Sequence, residues 1–79
     1  MEGRSVMKAK LGTVWNDQAQ RLVALLIEKT GATAEQITTV PAERAGVELM
    51  IDAPAKTARA AVWFTEGWIA AQGLSAWHA

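Results

Sequence analysis

The residue types in this chain that could do chemistry are few and badly spaced for it. His78 is the single histidine among 79 residues and cysteine is absent, so one chain cannot assemble a nitrogen or sulfur metal site, and thiolate chemistry is excluded. Ser75, His78 and either Asp17 or Asp52 supply the residue types of a serine hydrolase. No serine, however, stands in the Gly-x-Ser-x-Gly turn that exposes such a nucleophile. Asp52, just before Ala53-Pro54, reads as a helix cap rather than a general base, because a carboxylate there accepts an orphan backbone N–H. Asp17 and Glu28 lie on a solvated helix face and make no acid–base dyad. Gly31 and Gly46 stand alone, so there is no phosphate-cradling loop. The expectation is a protein that is not an enzyme and carries neither cofactor nor metal.

The residues that stand out are two apolar ones on faces otherwise marked by charge. Leu25 falls about 40° from Arg21 on one amphipathic helix, and Trp63 lies with Lys56, Arg59 and Glu66 on another. Tryptophan at such a place is enriched in interface hot spots. The competing reading is that Trp63 is covered by Leu74 and Trp77, and that Leu25 is an isolated exposed leucine of the ordinary kind. The expected site is a partner-binding surface of Leu25 and Trp63 rimmed by Arg21, Arg59 and Glu66. Its partner is another protein or a second copy of the chain.

Periodicity defines the elements that must position these residues. Val6 to Leu11 alternates, with Met7, Ala9 and Leu11 on one side, as in a strand with one wet face. Gly12-Thr13 is expected to turn, with Thr13 or Asn16 capping a helix that runs to Thr30 and is closed by Gly31. Trp15, Ala19, Leu22, Val23, Leu26 and Ile27 form its apolar face. Thr33 and Gln36 have the spacing of a capping box.

Ile37 to Val40 is β-branched throughout and stops at Pro41, as an edge strand does. After a loop to Gly46, a second strand places Val47, Leu49 and Ile51 inward, completing a hairpin. Pro54 suits the first position of a last helix capped from Asp52 or Ala53. That helix should bury Ala60, Ala61, Phe64, Gly67, Trp68 and Ala71 and end at Gly73, with a close packing partner at Gly67. The order β-α-β-β-α predicts an α+β fold, a three-stranded sheet with two helices packed on one face. Residues 1–5 read as a flexible start or a cloning remnant, and 6–77 as a single domain.

Composition narrows the function further. Eight basic and eight acidic side chains cancel, which removes the strong positive field needed for non-specific binding to nucleic acid or anionic membrane. The charge is uneven, though. Residues 32–52 carry Glu35, Glu43, Glu48 and Asp52 against Arg44, whereas Arg4, Lys8 and Lys10 lie near the start. No segment reads as a signal peptide or membrane span, so the expected location is cytoplasmic. The expected function is a non-enzymatic protein–protein interaction module, an adaptor or inhibitor. The alternative is a small nucleic-acid-binding transcriptional regulator using Arg4, Lys8 and Lys10. A helix-turn-helix over residues 35–54 fits that alternative poorly, because Asp52 and Pro54 fall inside the recognition helix. No motif ties the chain to a known family.

Overall fold

In a computed structural model that describes residues 6–72, the chain folds as β1 (Val6–Trp15), α1 (Asn16–Thr30), a short 3₁₀ turn (Ala34–Gln36), β2 (Ile37–Pro41), β3 (Gly46–Pro54) and α2 (Ala55–Ala71). The sheet is antiparallel with order β1-β3-β2. Central β3 has the strictest alternation: Val47, Leu49, Ile51 and Ala53 are buried, whereas Met50 and Asp52 face solvent. Leu11, Val14, Leu22 and Leu26 complete the core between sheet and helices. The fold is α+β, with the element order that the periodicity predicts.

β1 is longer than its pattern suggests, and Gly12-Thr13 is not a turn. The register jumps from Lys10↔Met50 to Gly12↔Leu49, leaving Leu11 as the extra residue of a β-bulge. Because the bulge shifts side-chain parity, Leu11 and Val14 are both buried although they are an odd number of residues apart. Gly12 has φ +156°, and a Cβ built on it would lie 2.9 Å from Ile69 Cδ1 and 3.6 Å from Thr65 Cγ2. The backbone of β1 thus passes close under α2 at this glycine.

That close approach sets the face α2 buries. The helix centres on Ala58, Ala61 and Thr65, with Phe64 and Trp68 packed along one flank and Val62 and Ile69 along the other. This is a rotation of roughly 90° from the expected face. Small residues let the helix axis sit low over Gly12 while the large ones straddle the contact. Gly67 and Ala71 end up exposed, and among the described residues nothing lies within 4 Å of a Cβ on Gly67, so none of them is the expected packing partner there.

Both helix starts differ from expectation. No side chain caps α1; instead Asn16 donates its N–H to the Ala45 carbonyl at 2.8 Å, so the hairpin turn caps the helix. β3 continues through Pro54, which pairs with Val6, and Asp52 faces Lys8 across the ladder. It therefore cannot cap α2, which has no side-chain cap. The other ends agree: Gly31 closes α1 with φ 81°, and Gln36 Oε1 accepts the Thr33 N–H at 3.0 Å. α2 stops at Ala71 with Gln72 as its cap, and Gly73, Leu74, Trp77 and His78 lie outside the described residues.

Candidate interaction surface

Trp63 is 75% exposed, the most exposed of the large apolar side chains described. Its position follows from the rotation of α2. Measured from the buried line through Ala58, Ala61 and Thr65, Trp63 is turned roughly 170° and stands on the crest of the helix, pointing away from the sheet. Lys56, Arg59 and Ala60 form a shallow cleft with it. Helical side chains lean toward the N-terminus, so the indole lies over the turn of Arg59 and Ala60. The residue whose side chain would lean over Trp63 in turn is Gly67. Having no side chain, Gly67 leaves the C-terminal side of the indole open, and Ala70 continues a small-residue shoulder along the same stripe. Glu66 is exposed beside it.

The other expected members of the surface sit differently. α1 buries Ala19, Leu22 and Leu26, a face turned roughly 25° from the one its apolar residues suggest. As a result Ile27 is 36% exposed and Leu25 becomes a half-buried flank. The Val23 flank borders the hairpin through Thr39 and Val47. Leu25 lies on the opposite flank. Arg21 is exposed above that flank. The structure thus groups Trp63 with Arg59 and Lys56, while Leu25 and Arg21 form a separate shoulder. Lys56 and Ala60, which the sequence reading left out of the site, belong to the cleft by their i, i+3, i+4, i+7 spacing with Arg59 and Trp63.

The wet face of the sheet carries mixed charge. Lys10 pairs with Glu48 at 2.9 Å and Lys8 faces Asp52, so the lysines of this face come with carboxylates. Residues 46–54, where a recognition helix would have to lie, are β3; the helix-turn-helix reading is therefore overturned. Arg4 lies outside the described residues. Among the described residues no group of acidic or histidine side chains is arranged to hold a metal ion, and no helix is long and apolar enough to cross a membrane. Comparison with family models, with curated proteins and with solved structures finds no match.

Proposed function

We propose that the protein is a non-enzymatic interaction module that docks a protein through the crest of α2, and that a second copy of the chain is the partner that crest fits best. The observation that carries this reading is the 75% exposure of Trp63 beside the bare Gly67 position. An exposed indole next to a missing side chain is a knob beside a hole.

Arg59 stands four residues before Trp63 and Glu66 three after it. An antiparallel α2 pair with its two-fold axis at Trp63 brings Arg59 of each copy beside Glu66 of the other, and each indole, leaning toward its own N-terminus, over the Gly67 of its mate. A surface that complements itself in shape and charge meets the requirement of an isologous interface. One helix per subunit gives a contact at the small end of specific interfaces, so the dimer should be weak and concentration-dependent.

Charge reversal tests the pairing. Arg59→Glu alone places two carboxylates together and should abolish association measured by analytical ultracentrifugation. Combining it with Glu66→Arg should restore it. Association that ignores both changes places the contact elsewhere.

A further inference from the structure

The second unsatisfied surface is the outer edge of β2, which ends the sheet. Ala42 donates its N–H to the Gly46 carbonyl at 2.9 Å, in the same register that pairs Pro41 with Val47 and Thr39 with Leu49. Hydrogen-bonded and open pairs alternate along an antiparallel ladder. Val40/Glu48 and Thr38/Met50 are therefore the bonded pairs, and the backbone groups of Ile37, Thr39 and Pro41 point away from β3. The Ile37 N–H is engaged by the Ala34 carbonyl, and proline has none. The edge thus presents the N–H and C=O of Thr39, flanked by the carbonyls of Ile37 and Pro41.

The same three residues pair with the inward-facing Ile51, Leu49 and Val47, so their side chains lie on the helix side of the sheet. Ile37 packs against the core, but α1 does not cover the other two. Thr39 and Pro41 are exposed, and a groove of about 440 Å³ runs between α1 and the hairpin, walled by Val23, Ala24, Ile27 and Val47 with the polar Asn16, Gln20 and Thr39 and no charged side chain. The opposite edge offers nothing comparable: β1 is broken by its bulge and lies under α2.

We propose that this edge and groove bind an extended peptide segment of another protein as a fourth strand, antiparallel to β2. The guest residue opposite Thr39 exchanges both hydrogen bonds with it, and the guest N–H groups two residues to either side donate to the Ile37 and Pro41 carbonyls. The side chains of these guest residues enter the groove, so they are aliphatic and alternate with exposed ones. Exposed Glu35 lies beyond the Ile37 end, where an antiparallel guest has its C-terminal side, and favours lysine or arginine there. At the Pro41 end Glu43 and Arg44 offset each other.

A second β2 does not fit this edge. Centred on Thr39, its Pro41 would face Ile37 without an N–H for the Ile37 carbonyl, the protection that edge prolines give against self-pairing.

The test titrates the full chain into a capped, fluorescein-labelled peptide that alternates valine with threonine and ends in lysine, read by anisotropy. Saturable binding is expected. It should weaken at least tenfold when the central valine is N-methylated, with Thr39→Pro, which removes an outward N–H and leaves the β3 ladder whole, and with Ile27→Glu in the groove. Trp63→Ala should bind as well as wild type, which separates this site from the α2 crest. Circular dichroism shows whether Thr39→Pro is folded; if it is not, the N-methylated peptide alone decides. Absence of binding at millimolar protein, binding indifferent to N-methylation, or loss confined to Trp63→Ala would each overturn the proposal.

Discussion

Three single residues hold conformations or environments that work against the folded state. Arg44 and Ala45 have φ 60° and 62°, the left-handed pair of a tight hairpin turn closed by Gly46 donating its N–H to the Glu43 carbonyl at 3.1 Å. Neither is the glycine or asparagine such a turn prefers, and left-handed backbone costs an ordinary residue about 1 to 2 kcal/mol. Ala45→Gly should stabilise the domain by about 0.5 to 1 kcal/mol after glycine's own entropy is subtracted, measured by urea unfolding. The Ala45 carbonyl still caps α1 in that variant. A loss of stability would mean that the turn is not held left-handed.

Thr65 is the one fully buried polar side chain in the described core, and its hydroxyl has no hydrogen-bond partner. Thr65→Val keeps the shape and removes the stranded group. Its unfolding midpoint should rise, by an amount corresponding to about 1 kcal/mol; a fall would show that the hydroxyl is bonded. Neither feature was legible in the sequence. Arg44-Ala45 carries no turn signature, and a threonine inside an amphipathic helix reads as surface until its neighbours are known.

Among the elements, β3 and the body of α1 were legible because each has an uninterrupted period, and β2 because it is a β-branched run that stops at Pro41. β1 and α2 were also placed, but the end of β1 and the buried face of α2 were misread for one shared reason, their mutual contact at Gly12. A glycine after an alternating run signals a turn as readily as a bulge, and only the register against β3 distinguishes them. The rotation of α2 follows from the same contact, since composition favours Phe64 and Trp68 at the centre of the buried face while proximity to β1 demands Ala58, Ala61 and Thr65. Gly12→Ala should cost about 1 to 3 kcal/mol, because a side chain there is strained by φ +156° and crowds Ile69. Differential scanning calorimetry would show this as a lowered melting temperature. An unchanged melting temperature would mean that the bulge relaxes without consequence and does not set the seat of α2.

At the scale of the molecule, the sheet and helices enclose one core and leave two surfaces unsatisfied, the crest of α2 and the open edge of β2. Trp63 was legible as an anomaly because it interrupts a charged stripe. Leu25 resembled it only because the buried face of α1 could not be oriented from sequence alone. The edge site depends on which backbone groups face outward, which periodicity does not encode. The binding proposed for these surfaces rests on the exposed indole of Trp63 and on the outward backbone groups of Thr39.

The most direct test is sedimentation equilibrium of the full chain over a wide concentration range, with Trp63→Ala run beside it and its melting checked. Wild type is expected to show a monomer–dimer equilibrium that Trp63→Ala abolishes while its stability changes by no more than about 0.5 kcal/mol, as for a surface side chain. A wild-type protein that stays monomeric at every concentration, or a Trp63→Ala variant that unfolds or still dimerises, would contradict a dimer built on the α2 crest.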